Sequence, residues 1–325
     1  MKKEKLYFCQ VSLARDIPII IDNYINLNKF YSDFAIYVVC PQKEIKEFRE
    51  KLNYKEFFFI AEEEIMSFQE LELIFENLSN SINYKEQFKK RLRWYFQQIL
   101  KICFVINFVK NNNKNIIIWD SDTIIIKKIN FFEKNFSIKY GTFFEYHKAY
   151  YETNKSIFKK TPNYFISFLT QFSSLTKTEC QFLLKTLNIF DIDYKELSVN
   201  ISRLILKNIF ETHKDYNGSL FSEYEFIGMS NYFLKRQRQK PILTLRMGLN
   251  GRLTSKQIKV AKILNFIHIA YEHSHRNINS QGMLKRKQSW CSFCKITIKS
   301  LIKFYLRYLR YFFYYYFYKF FKNND

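Results

Sequence analysis

Three apolar runs at the start of the chain constrain its fold more than any other feature. They are Leu6–Leu13, Ala35–Cys40 and Phe57–Ala61, and each has the length of a buried strand. Helical patterns lie between them. Ile17–Leu27 repeats apolar residues at helical spacing, with Asp16 placed to cap its start and Pro18 in its first turn. Gln42–Leu52 is charged and helical, and Pro41 closes the run before it. Strand, helix, strand, helix, strand predicts a parallel sheet, because parallel neighbours need a crossover and the crossover is right-handed. The expected class is α/β, a mixed and mostly parallel sheet flanked by helices. Only 6 Gly and 4 Pro in 325 residues argue against a turn-rich all-β alternative. A hydrophobic fraction of 47% suffices for a real core, which excludes global disorder.

The next strong signal lies mid-chain. Arg91–Val109 has the pattern of a long helix, and the linker Lys110–Asn115 stops it because Asn competes for backbone hydrogen bonds. Ile116-Ile-Ile-Trp119 then runs directly into Asp120-Ser121-Asp122. Apolar residues followed by two acids describe a central strand whose carboxyl end meets solvent, where open α/β sheets bind ligands. Two carboxylates there suit a hard divalent ion, Mg²⁺ or Mn²⁺, that takes further oxygens from a phosphate. An isolated Asp-x-Asp is more often a turn or cap pair; the strand before it and its place after the β-α units favour the site. A dehalogenase-type phosphatase also carries two acids on a strand end. Its motif opens the domain, however, and takes Thr or Val where Ile124 stands. Further helices are expected at Pro162–Ser173, Lys177–Leu187 and Leu197–Phe210, and a late strand at Phe266–Ala270.

Other chemistry-bearing residues cluster in short blocks. Arg93, Gln97 and Lys101 recur every four residues, so one helix face presents three donors suited to phosphate or base. A solvated helix face explains them equally well. Glu145-Tyr146-His147 places a carboxylate beside an imidazole, suited to sugar hydroxyls or to base catalysis. Ser222 and Glu225 have the spacing of a capping box, which leaves Glu223 as the freer acid for an acceptor or general base. The six cysteines are scattered, and Cys291-Ser-Phe-Cys294 falls short of the four ligands of a structural zinc site.

Three ordered blocks resemble a family of bacterial GT-A-like glycosyltransferases of surface-polysaccharide biosynthesis. The first is Trp94-Tyr-Phe-Gln97-Gln98-Ile-Leu-Lys101, followed by Trp119-Asp120-Ser121-Asp122-Thr123. The second runs from Phe144 to Thr153 and the third from Phe221 to Gly228. The resemblance covers about residue 5 to residue 275. It implies a GT-A-like, Rossmann-like domain over 1–275 that moves a sugar from a nucleotide-sugar to a cell-surface glycan or lipid-linked acceptor. It implies Mn²⁺ or Mg²⁺ at Asp120 and Asp122, with a late histidine as a further ligand. His273 is preferred for this among His268, His273 and His275. Donor contacts would come from Arg93, Gln97, Gln98, Lys101, Trp119 and Ser121. Acceptor or sugar contacts would come from Tyr146, His147 and Glu225, and the base would be Glu223 or Glu145. Retention or inversion stays open.

The charge is segregated. Of a formal +22, residues 226–325 contribute twenty Lys and Arg against only Glu272 and Asp325. Lys295, Lys299, Lys303, Arg307 and Arg310 form one basic stripe on a helix, among Ile296, Ile298, Leu301, Ile302, Phe304, Leu306 and Leu309. The aromatic run Tyr311–Tyr318 follows. Such a pattern suits a helix lying in an anionic membrane surface, so 276–325 is expected to be a basic, aromatic, membrane-associating segment. A helix docked on the domain's own core is the plainer alternative. Nucleic acid is ranked below both, since no nucleic-acid motif accompanies the stripe; a non-enzymatic membrane or nucleic-acid binding protein remains the rival function. Without an apolar run long enough to span a bilayer, the expected location is cytoplasmic, peripheral on the inner membrane face.

Overall fold

The computed structural model describes residues 5–79, 85–133, 136–138, 140–142, 147–160, 167–189, 193–214, 218–235, 240–245, 249, 251–271 and 287–322. The strands in chain order are β1 Leu6–Val11, β2 Phe34–Cys40, β3 Phe57–Ala61, β4 Ile116–Trp119 and β5 Thr123–Ile125. Three two-residue strands follow, β6 Phe132–Glu133, β7 Phe136–Ser137 and β8 Tyr140–Gly141. The remainder are β9 Phe172–Leu175, β10 Lys240–Pro241, β11 Leu243–Leu245 and β12 Phe266–Ala270. The helices are α1 Ile17–Phe30, α2 Ile45–Lys51, α3 Glu62–Ile65, α4 Phe68–Leu78, α5 Lys85–Lys89 and α6 Leu92–Asn112. They continue with α7 Lys148–Phe158, α8 Lys177–Thr186, α9 Tyr194–Thr212, α10 Glu223–Lys235, α11 Ser255–Ile263 and α12 Trp290–Lys322.

The five-stranded sheet has the order β3-β2-β1-β4-β9. The first four strands are parallel, and β9 joins β4 antiparallel through Ile116↔Leu175 to Trp119↔Phe172. The protein is thus a mixed α/β fold with a mostly parallel central sheet. A smaller sheet, β11-β12-β5, continues from β4, with Ala270 opposite Thr123 and His268 opposite Ile125.

Side-chain alternation along the central strands builds two cores. Cys9, Val11, Val39, Ile116 and Ile118 pack on one face with α4, α6, α8 and α9. Phe8, Ile36, Val38, Ile117 and Trp119 pack on the other with α1 and α2. Both faces are covered, which is why these strands read as continuous apolar runs. Helix α6 lies at the centre of the first core, with Ile99, Leu100, Ile102, Cys103, Val105 and Ile106 all at 0% exposure. Each such aliphatic side chain contributes about 1.5–3 kcal/mol by leaving water. Asn113, at φ 54, ends this helix in the left-handed conformation that Asn tolerates.

One expectation changes. Within Pro162–Ser173 the residues from Ser167 onward are not helical. Thr142 pairs with Ser167, and Phe172–Leu175 forms the antiparallel edge strand. Pairing with β4 satisfies that backbone, and it outweighs the local helical pattern. Phe293 and Phe304 of α12 are buried in a third core with Ile19, Leu245, Leu253 and Phe266. Among the described residues, no helix is long and apolar enough to cross a membrane.

Candidate active site

The order β3-β2-β1-β4 makes β1 and β4 a topological switch point: from β1 the chain builds β2 and β3 to one side and later places β4 on the other. The crevice at the carboxyl ends of two such strands is where α/β sheets bind ligands. Two loops meet there, Ser12–Asp16 after β1 and Asp120–Asp122 after β4.

The Asp120–Asp122 loop is held from every side. Thr123 N donates to Asp120 O at 3.0 Å, closing the turn, and Asp120 N donates to Gln171 O at 3.0 Å. Tyr271 N donates to Asp122 O at 2.8 Å. Trp119 Nε1 donates to Thr123 O at 2.8 Å from within the core. Ser121 Oγ donates to Asp16 Oδ2 at 3.3 Å, joining the two loops of the crevice. Asp16 stands at the start of α1 as expected, but its side chain makes no cap bond and serves this contact instead. Gln171, at φ 63, bends the chain so that its carbonyl reaches Asp120.

Beneath the loop lies a buried charge group. Lys101 Nζ of α6 is 2.5 Å from Asp120 Oδ1 and 2.6 Å from Glu223 Oε1 of α10. The Lys101 and Glu223 side chains are each 4% exposed, and that of Asp120 is 18% exposed. Burial alone would push the lysine's affinity for its proton down. The two carboxylates outweigh it and hold Lys101 above the ordinary lysine range. Two carboxylates share one ammonium, however. Burial, and then the negative charge of Asp120, push Glu223 above the usual glutamate value despite its lysine partner. Gln98 Oε1 accepts from Glu223 N at 3.2 Å and anchors the start of α10. Tyr224, with its ring 5.1 Å from Lys101 Nζ, is raised well above the usual phenol range by burial and by the nearby carboxylates.

The expected site residues fall into groups. Lys101, Gln98, Asp120, Ser121, Asp122 and Glu223 come together at the switch point. Gln97 joins them, half-buried, with Nε2 donating to Val11 O at 3.4 Å at the end of β1. Arg93 does not: its guanidinium lies 4.0 Å from the centre of the Phe68 ring on the exposed side of α6. Trp119 is fully buried against Phe172, Phe131 and Phe8, so it supports the loop from below and presents no face to a nucleotide. Glu225 turns to the neighbouring chain segment. It is buried and accepts from Phe168 N at 3.1 Å and from Ser167 Oγ, fastening α10 to the strand edge. Ser222 does serve the helix start, accepting from Tyr224 N at 3.3 Å. His147 is exposed at the start of α7, its ring 4.7 Å from Tyr150, which packs near Trp94. His268 is buried, with Trp119 and Phe172 each 6.0 Å away. Glu145, Tyr146, His273 and His275 lie outside the described residues.

Sequence reasoning missed Tyr224 and the Asp16–Ser121 link. A buried tyrosine beside an acid has no sequence signal, and Asp16 had a sufficient local explanation as a cap. As for a metal, no group of three or more His, Cys, Asp or Glu placed to hold an ion occurs among the described residues. The donors at the crevice are two hard carboxylates, one of them already bound to Lys101. That set fits an ion completed by phosphate oxygens and water, which is how Mg²⁺ and Mn²⁺ are commonly held, and does not form a closed protein cage.

No family model matches the chain, and no curated protein matches it. A solved structure described as "PaToxG Glycosyltransferase" aligns over 94% of this chain and 87% of its own, with 12% identity and a TM-score of 0.35.

Proposed function

We propose that this chain is a GT-A-like, metal-dependent glycosyltransferase. It moves a sugar from a nucleotide-sugar diphosphate to a cell-surface glycan or lipid-linked acceptor. The observation that carries this reading is the Asp120-Ser121-Asp122 turn at the carboxyl end of β4, at the switch point and braced by buried Lys101. The resemblance of the ordered blocks supports it.

Asp122, half-buried beside the crevice, would hold Mn²⁺ or Mg²⁺, with Asp120 beside it. When bound, the ion would supply positive charge to the departing diphosphate. The chain's own contribution is preorganisation. Lys101 fixes the Asp120 carboxylate, Glu223 fixes Lys101, and Gln98 holds the Glu223 backbone, so the loop need not reorganise when charge develops. Ser121 and Gln97 are polar groups proposed to contact the donor. Glu223 acts as a positioning residue, since a carboxylate sealed against Lys101 does not meet an acceptor hydroxyl. Glu145 is then the acid proposed as base, and His273 the proposed additional metal ligand.

Calorimetric titration with nucleoside diphosphates, with and without Mn²⁺, tests the reading. Binding should require the metal and weaken at least about tenfold in Asp122→Ala, the loss of one charged contact. Metal-independent binding that the substitution leaves unchanged overturns it.

A further inference from the structure

Among its described residues, helix α12 carries three stripes, and one of them is docked on the domain. Phe293, Thr297, Ser300 and Phe304 are buried at 9% exposure or less, spaced four, three and four residues apart along the face docked on the third core. Ile298, Ile302, Tyr305, Leu306, Leu309 and Phe313 are 49–63% exposed. At about 100° per residue, this second stripe lies roughly opposite the docked one. Lys295, Lys299 and Arg310 are exposed and run along one flank of it, together with Lys303 and Arg307.

We infer that this outward face docks on an anionic lipid surface, with the apolar stripe entering the interface and the basic flank meeting headgroup phosphates. A contiguous aliphatic strip is unfavourable in water and calls for an apolar partner. The adjoining basic row calls for an anionic one, and an acidic bilayer offers both together. A nucleic acid would satisfy only the charges, leaving Ile298, Ile302, Leu306 and Leu309 in water. A second copy would bring like-charged rows together. Because Phe293 and Phe304 fasten the helix to the domain, docking would orient the whole domain rather than tether it. The inference is independent of the transferase reading.

Co-sedimentation of the full-length protein with vesicles tests it, using neutral phosphatidylcholine and the same lipid with a third phosphatidylglycerol, alongside a single-stranded oligonucleotide. Binding to the anionic vesicles should exceed binding to neutral ones and fall with added salt. Neutralising Lys295→Gln, Lys299→Gln and Arg310→Gln together should weaken it about 100-fold, near fivefold per charge. Ile302→Glu with Leu306→Glu, at exposed positions that leave the docked face intact, should abolish it with helix content unchanged by circular dichroism. A parent protein that does not sediment with anionic vesicles overturns the inference. So does vesicle binding that survives the glutamates, or oligonucleotide binding tighter than vesicle binding. Nucleoside-diphosphate titration is read separately, so failure of either proposal leaves the other standing.

Discussion

Lys101 Nζ lies 2.6 Å from Glu223 Oε1, a contact that spans 122 positions of sequence and joins α6 to α10 directly beneath Asp120. Two carboxyl groups and one amine are thereby drawn together largely out of water. Such a group is strongly sensitive to the loss of any member, because the remaining charges stay buried without compensation.

Lys101→Met should therefore destabilise the fold by about 3–5 kcal/mol. The double variant Lys101→Met, Glu223→Gln should recover a substantial part, since one buried charge is removed with its partner. Denaturant unfolding of the parent, the single variants and the double variant provides the cycle that measures the coupling. An additive double variant would show that the contact has no energetic role.

Trp119→Phe tests whether the buried indole positions the loop. The substitution keeps an aromatic ring against Phe172 but removes the 2.8 Å bond to Thr123 O. Stability should fall by about 1–2 kcal/mol, for one buried hydrogen bond and some lost volume. Nucleoside-diphosphate binding should weaken without being lost, since Asp120 and Asp122 remain. Unchanged binding at equal stability would remove the indole from the site's support.

Gly228→Ala should be destabilising even though alanine is the better helix former. A Cβ at this position would stand 2.2 Å from Phe168 Cγ. The ring cannot retreat freely, because Phe168 is 4% exposed and packed in the first core. The expected cost is about 1–3 kcal/mol of overpacking, against a helix-propensity gain of about 1. The shift in thermal midpoint measures the balance. A midpoint above the parent's would show that Phe168 moves aside.

Glu62 supplies a pH test. Burial, and then the charge of Glu63, push its carboxyl up to about 7. A folded value above the unfolded one means that the folded state binds the extra proton. This contribution to stability is fully present below the ordinary glutamate range and is lost as pH rises through about 7. Glu62→Gln should raise the thermal midpoint at pH 8 and leave it nearly unchanged at pH 4. Equal midpoint changes at both pH values would contradict the assignment.

The site was partly legible because its local signals were strong. Ile116–Trp119 before two acids marks a strand end regardless of context, and the spacing of Gln97 and Lys101 marks a helix face. What that face touches could not be read. Gln98 and Lys101 turn inward to Glu223, while Arg93 turns outward onto Phe68. Glu225 had a good local explanation as part of a cap, and its contacts with Ser167 and Phe168 come only from the tertiary structure.

The sequence by itself determined the alternation of strands and helices up to β4, because apolar periodicity and the crossover rule act over short stretches of chain. It also determined the separation of basic charge into the last third. Only the tertiary structure decided that β9 closes the sheet beside β4 where a helix was expected, since strand pairing is a long-range bond that local pattern does not encode. It alone brought Asp120, Lys101 and Glu223 into one buried group and gave α12 a docked face and an outward face. Those outcomes depend on which surfaces exclude water from one another, and that is settled only when the elements pack.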